Sequence, residues 1–476
     1  MNWLRRSALT LSLLLGLSTG TSAQSYTSYE SVGLAREVKI IIPDDLEQVR
    51  GIVVSLSVFG MEGFVPEAFA RTLGFVHLEY EGFRPEGIVG DDPNGDFYGP
   101  DVLEAIAQIA LESGHPELQN APMVWTGFSD GSSSGLAMAS VIPERMIAIG
   151  ENDGSINVYE GWNTSDLPTA IPMPPSLRSI PILFCSAENS DDFEEFVVDN
   201  RALGALWARA SIHTRTWHDP GQRAWPMIYY FLSEVIKGRY PTDATPETHD
   251  DLTRSSVPLL VPSEQTGYLA QSTRGQVFQA VDSFEAFAGD PSRASWLATE
   301  ALADGFRTVA SWNRNGPLGP LGDDASFIDP GQRWTKVIPI DPSWTDWDRV
   351  EVYDGARLLA VYAPGDPLVF SFLASEEDIG AHLIYAMASR AEERLVSPPS
   401  LLVVEGIAPL PFEPFAGSTP PTERPDQVPR SDGQSSSTDG CQLAPLGSRH
   451  AVLWVYLAAA LLVVRRRPRR AQNRQQ

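Results

Sequence analysis

The chain has 476 residues, 43% of them hydrophobic, and a formal net charge of −26 with histidines neutral. That length holds two or three domains of about 100–200 residues each, with enough apolar content for a real core. The acid excess excludes nucleic acid as a partner, because its phosphates would be repelled.

Residues 1–23 read as a secretory signal peptide. Arg5 and Arg6 form a basic start, Ala8 to Leu17 an apolar run, and Thr21-Ser22-Ala23 a small-residue cleavage site before Gln24. Residues 24–35 read as a short polar lead. From Glu37 strand-like and helix-like segments alternate. Val38–Ile42, Gly51–Leu56 and Phe75–Tyr80 read as strands, with a helix at Pro66–Leu73. Pro100–Glu112 is helix-like, with Val102, Ile106, Ile109 and Ala110 near helical spacing. A strand at Met123–Thr126 is followed by a small-residue turn and a helix at Gly135–Val141. Met146–Gly150 and Ile182–Ser186 are strands of the buried type. Phe193–Ala210 reads as a long helix, Ile212–Trp217 as a strand and Trp225–Lys237 as a helix. This alternation over residues 36–238 predicts an α/β fold, a mostly parallel sheet with helices on both faces.

The alternation stops near Gly238. Residues 239–312 read as a helical and irregular extension, including a helix at Ala294–Val309. Over residues 340–405 the period becomes two. Arg349–Tyr353, Leu358–Tyr362, Leu368–Leu373, His382–Ala388 and Leu401–Val404 are short strands, separated by turns such as Asp354-Gly355 and Pro364-Gly365. These predict a small C-terminal β-sandwich that resembles the Ig-like modules of secreted bacterial proteins. Residues 411–440 form a Pro/Ser/Gly-rich linker. In residues 441–476, Cys441 precedes an unbroken apolar run, Ala451–Val464, and a cluster of arginines from Arg465 to Arg470. The run is shorter than the ~20 residues that comfortably span a bilayer, yet arginines behind it suit a membrane-halting tail. Gly-Cys, apolar helix and Arg cluster in this order resemble the MYXO-CTERM sorting tail of myxobacterial surface proteins. That resemblance implies processing near Cys441 and display at the cell surface or outer membrane, or release. The two ends carry nine arginines and no acid, so the part between them is more acidic still. Cys185 and Cys441 are the chain's two cysteines, too few for an internal disulfide framework.

Gly127-Phe128-Ser129-Asp130-Gly131 fits G-x-S-x-G between a predicted strand and a predicted helix. A serine on such a tight turn projects its Oγ beyond the edge of the sheet, and the helix N-terminus favours developing negative charge nearby. With this turn in place, residues 36–237 resemble a bacterial α/β-hydrolase of the esterase type. The resemblance also rests on Gly51–Leu56, Gly114-His115-Pro116-Glu117-Leu118 and Pro143-Glu144-Arg145.

The resemblance implies acyl transfer, with Ser129 as nucleophile, a histidine as general base and an acid that orients it. It places the oxyanion donors on the backbone N–H of Asp130 and of Val58 or Phe59. Ser57-Val58-Phe59-Gly60 lacks the His-Gly found in many relatives. The acid is expected after the strand Ile182–Ser186, where Asp191 is preferred over Asp192 and Glu188. The base is expected in Thr216–Pro226, where His218 is the candidate. Counting from Pro220-Gly221, however, the usual histidine place holds Ala224.

Asp92-x-Asn94-x-Asp96 begins like a calcium loop but lacks its glycine and distal glutamate. His77 reads as a structural strand residue. No metal and no cofactor are expected. The partners implied are a small or polymeric ester, the membrane through the tail, and processing machinery at Cys441. Nothing sets an oligomeric state. The sequence supports an extracytoplasmic serine esterase. Its rivals are a catalytically degenerate surface protein with the same fold, favoured by Ala224, and an adhesion protein whose role lies in residues 340–405.

Overall fold

The first strands place their apolar residues alternately on two faces, and that alternation builds the domain. In the computed structural model, β1 (Tyr26–Glu30), β2 (Val38–Pro43), β3 (Gly51–Ser57), β4 (Phe75–Tyr80), β5 (Met123–Phe128), β6 (Met146–Asn152), β7 (Ile182–Ala187) and β8 (Trp207–Ile212) form one sheet. Its order is β1-β2-β4-β3-β5-β6-β7-β8. From β4 to β8 every neighbour is parallel. β2 runs against β4, and β1 against β2. The structure describes residues 25–31, 38–57, 66–80, 99–128, 130–152, 175–187, 191–212, 220–241, 246–271, 280–312, 317–322 and 325–421. All of them belong to one compact unit, Met1–Thr422.

β3 shows why this part is a layered α/β fold. Val53 enters a cluster with Phe75, Val124, Phe69 of α1 (Pro66–Thr72), and Ile228 and Leu232 of α6 (Pro220–Arg239). Its neighbours Ile52 and Val54 enter the cluster on the other face. There they meet Ile106 of α2 (Gly99–Ser113) and Leu136 of α3 (Asp130–Val141). Parallel strands covered on both faces are apolar throughout rather than alternating with polar residues, and β5 and β6 are buried along their whole length. Gly135 lets α3 lie close to the sheet, because a Cβ there would come 2.7 Å from the Trp125 ring. Leu177 of α4 (Pro175–Arg178) and Val197 of α5 (Asp191–Arg201) complete that face.

Several boundaries differ from the expectations, among them the helix expected over Ala294–Val309, which is a strand at Ser295–Leu297 and a helix only from Glu300. The helix expected over Phe193–Ala210 ends at Arg201, and its last part is instead the strand Trp207–Ile212; the strand expected over Ile212–Trp217 lies beyond Ile212 outside the described residues. Gly204 adopts φ +83°, a left-handed value that ends a helix and suits glycine. The buried Arg201 guanidinium then donates to the carbonyls of Ala205 and, at 2.9 Å, Ala294. Another difference is at the start, where part of the expected polar lead forms the edge strand β1.

Beyond α6 come a three-stranded sheet of β9 (Tyr268–Ala270), β10 (Val281–Ser283) and β11 (Ser295–Leu297), and then α7 (Glu300–Ser311). All five strands expected in residues 340–405 are present. β14 (Arg349–Asp354), β15 (Arg357–Tyr362), β17 (Gly380–Arg390) and β19 (Ser400–Val404) join β12 (Ala325–Ile328) and β18 (Glu393–Val396) in a six-stranded sheet. β16 (Val369–Leu373) instead pairs with β13 (Arg333–Val337). One face of the six-stranded sheet sends Ala381, Leu383, Leu401 and Val403 into the cluster of α6 and α7. The other face packs Ile384, Ala386, Leu402 and Val404 against Trp334, Phe370 and Phe372. The C-terminal strands thus share a core with the α/β layers.

Among the described residues no helix is long and apolar enough to cross a membrane. The signal segment, the linker beyond residue 421 and the tail with Ala451–Val464 lie outside them. So does Cys441, whereas Cys185 is a buried free thiol whose pKa is pushed up by burial.

Candidate active site

β3, β5 and β6 end in one row, β7 and β8 run two residues further, and the register fixes what stands at that edge. Ser57, Phe128, Asn152, Cys185 and Ala210 form one row across β3, β5, β6, β7 and β8. β5 ends at Phe128 and α3 begins at Asp130, so a single residue, Ser129, joins strand to helix. Helix first turns leave backbone N–H groups without intrahelical partners, and the N–H of Asp130 is one of them by position. Ser129 itself, Val58, Phe59 and His218 lie outside the described residues. So do Glu188 and the Asp92–Asp96 stretch.

Asp191 opens α5, four residues after β7 ends, and Asp192 follows it. The position of α5 is set from below. Arg209 on β8, almost fully buried, donates from Nε to Ser186 Oγ at 3.3 Å and from Nη1 to Glu194 Oε2 at 3.0 Å. This ties the second turn of α5 to the ends of β7 and β8.

His218 falls between β8 and α6, two residues before the helix. The structure starts α6 at Pro220, earlier than the expected Trp225. Proline suits a first helical position, where its missing N–H is unneeded and its φ is already helical. Ala224 therefore lies inside α6, completely buried. By chain position, Ser129 follows β5, Asp191 follows β7 and His218 follows β8.

Two sets of residues were not anticipated as site residues. Glu151, beside Gly127 in the ladder, is fully buried, and neither carboxylate oxygen has a hydrogen-bond partner among the described residues. Burial raises its pKa well above the ordinary carboxyl value. The available signal was an acid directly following the apolar run Met146–Gly150. The second set surrounds His77, which is 2% exposed on β4. His77 Nε2 lies 2.6 Å from Ser55 Oγ on β3. Nδ1 on the opposite side of the ring lies 3.6 Å from Glu67 Oε1 and 4.0 Å from Glu79 Oε1. Lys39 Nζ donates to the other Glu79 oxygen at 2.8 Å. Glu67, His77 and Glu79 each offer one ligand atom, all within 4.8 Å of one another.

The sequence matches no protein-family profile and no curated protein. Among solved structures it is similar to an esterase from Pyrobaculum calidifontis, with 15% identity, TM-score 0.32, and coverage of 48% of this chain and 89% of that one. It is also similar to a dienelactone hydrolase from Anabaena variabilis, with 14% identity, TM-score 0.29, and coverage of 45% and 97%. A bacterial heroin esterase gives 14% identity, TM-score 0.30, and coverage of 46% and 84%. The described fold is a mixed α/β layer structure with a largely parallel eight-stranded sheet, and these solved neighbours are esterases and related hydrolases.

Proposed function

We propose that the chain is an α/β-hydrolase-type serine hydrolase that cleaves carboxylic esters outside the cytoplasm. The observation that supports this reading is that β5 ends at Phe128 and α3 begins at Asp130, one residue apart at position 129, the strand-to-helix spacing that a nucleophile serine requires. Ser129 Oγ attacks the ester carbonyl while His218 takes its proton, and Asp191 orients the imidazole. The oxyanion accepts hydrogen bonds from the backbone N–H of Asp130 and of Val58 or Phe59. The alcohol leaves with the proton from His218, and water then attacks the acyl-serine by the same route. The signal segment and the tail after Cys441 support export and display at the cell surface. An Ig-like sandwich reading of residues 340–405 is supported by the stack of β13 and β16 on the larger sheet.

One observation favours a second reading, a hydrolase fold that binds a ligand without turnover. The place where the family's histidine is counted from Pro220-Gly221 holds Ala224, locked inside α6. A fluorophosphonate probe separates the two. The enzyme reading expects labelling of the wild-type chain and none of Ser129→Ala. Wild-type protein that is folded yet unlabelled would establish the non-catalytic reading.

A further inference from the structure

The cluster around His77 has no role in the proposed acyl transfer, and its geometry is that of an ion site. β4 places His77 and Glu79 two residues apart, hence on one face of the sheet. Glu67 comes down on the same face from the first turn of α1. Ser55 stands opposite Glu79 on β3, and Lys39 opposite it on β2. Two carboxylates thus converge on one buried imidazole nitrogen, with one ammonium to balance them.

The decisive atom is His77 Nδ1. It is buried and, among the described residues, makes no hydrogen bond within 3.5 Å; the Glu67 and Glu79 carboxylate oxygens face it at 3.6 and 4.0 Å. A buried ring nitrogen in this state has exchanged water for carboxylate oxygens that stay beyond ordinary hydrogen-bond length. A cation between the three atoms removes that defect. Tetrahedral coordination with bonds of about 2.0–2.1 Å puts ligand atoms about 3.3–3.4 Å apart. The separations of 3.6 and 4.0 Å close by about 0.2–0.7 Å on binding, and the two carboxylate oxygens, within 4.8 Å of each other, draw together with them. The far side of the ring fits as well. With Nδ1 as ligand, Nε2–H donates to Ser55 Oγ at 2.6 Å, the outer hydrogen bond that fixes the tautomer of metal-bound histidines. Lys39 Nζ donates to Glu79 Oε2 rather than to Oε1, which faces the ring.

We propose that Glu67, His77 and Glu79 bind one divalent transition-metal ion of the zinc type. Imidazole with carboxylates selects this class over calcium or magnesium, which take oxygen donors. The ion pins the first turn of α1 to β4 and so fixes both ends of the segment between β3 and α1, which carries Val58 and Phe59. It does not depend on whether Ser129 is catalytic.

The test uses the full chain, dialysed against chelator and titrated with Zn²⁺ in competition with a chromogenic chelator. A melting curve is recorded with and without the ion. We expect one equivalent bound, a higher melting temperature with Zn²⁺, and affinity at least 10-fold lower in Glu67→Gln. Ser55→Ala is expected to weaken binding about 10- to 100-fold, the range for loss of an outer-shell partner. Glu67 is on the surface side of the cluster, so Glu67→Gln keeps the test valid even where His77→Gln fails to fold. Absence of stoichiometric Zn²⁺ uptake overturns the proposal. Uptake unchanged in a folded Glu67→Gln chain also overturns it, by assigning the ion elsewhere.

Discussion

His382 on β17 faces Asp354 at the end of β14, with Nδ1 2.8 Å from Oδ2. Its Nε2 is 2.6 Å from the Asp378 carbonyl, and the ring tilts against Phe372 with centroids 5.6 Å apart. Burial and Lys237 pull the His382 pKa down. The hydrogen bond and charge of Asp354, with the Asp378 carbonyl, outweigh them and leave it raised. A histidine held protonated in the folded state stabilises the fold fully below its unfolded pKa, about 6.5. That stability is lost as pH rises through the folded value. His382→Gln is therefore expected to be destabilised relative to wild type at pH 5.5, and by less at pH 8.5. Urea midpoints at both pH values check this. A gap that is constant with pH would show that His382 acts by packing alone.

Glu151 has the opposite sign of usefulness at neutral pH. Its folded pKa is raised by burial, so the folded state retains a proton that the unfolded state gives up. Stability is complete below the unfolded value, about 4.3, and falls as pH climbs toward the folded one. Glu151→Gln keeps the shape without the charge. It is expected to match wild type at pH 4.5 and to exceed it in stability at pH 8. A variant less stable than wild type at pH 8 would mean that the carboxylate itself is needed.

Leu383 on β17 is fully buried in the cluster shared with α6 and α7, and it contacts Gly305. Leu383→Ala is expected to cost about 2–5 kcal/mol. It is also expected to lower the midpoint of a single unfolding transition, because sheet and helices share that core. Two separated transitions by fluorescence and circular dichroism would show that the C-terminal strands unfold independently.

For the proposed chemistry, Ser129→Ala is expected to lower kcat/KM for a p-nitrophenyl ester by about 10⁴-fold or more. His218→Ala is expected to fall to a similar level, since members of a triad act as a unit. Asp191→Asn is expected to lose about 10⁴-fold by misorienting the imidazole. Full turnover in His218→Ala would move the base to another residue.

The strands of the α/β core were legible because buried parallel strands are written as apolar runs, as in Gly51–Leu56 and Met146–Gly150. The change from strand to helix after Met123–Phe128 was legible from its small residues, although the helix starts at Asp130 rather than Gly135. Local signals failed where tertiary context decides. The end of α5 turns on Gly204, and α6 begins at Pro220 within a stretch that read as loop. The Glu67–His77–Glu79 cluster has no sequence spacing that would announce it, since a helix and a strand bring it together. Period-two residues identified the C-terminal strands, but not that Leu383 and Val403 would face α6.

Arg50, at the entry to β3, donates from Nη1 to the carbonyl of Ala408 at 2.7 Å, across 358 residues of chain. β19 likewise closes on β12 in parallel, and Val261 meets Thr419. Contacts this remote in sequence make for a slow search, because loop closure must precede any reward from pairing. A ribosome that has made the entire eight-stranded sheet has therefore not yet made a finished domain. The apolar face of α6 that receives Leu383 and Val403 lacks its cover until those residues have emerged, and the contact of Val261 with Thr419 forms later still.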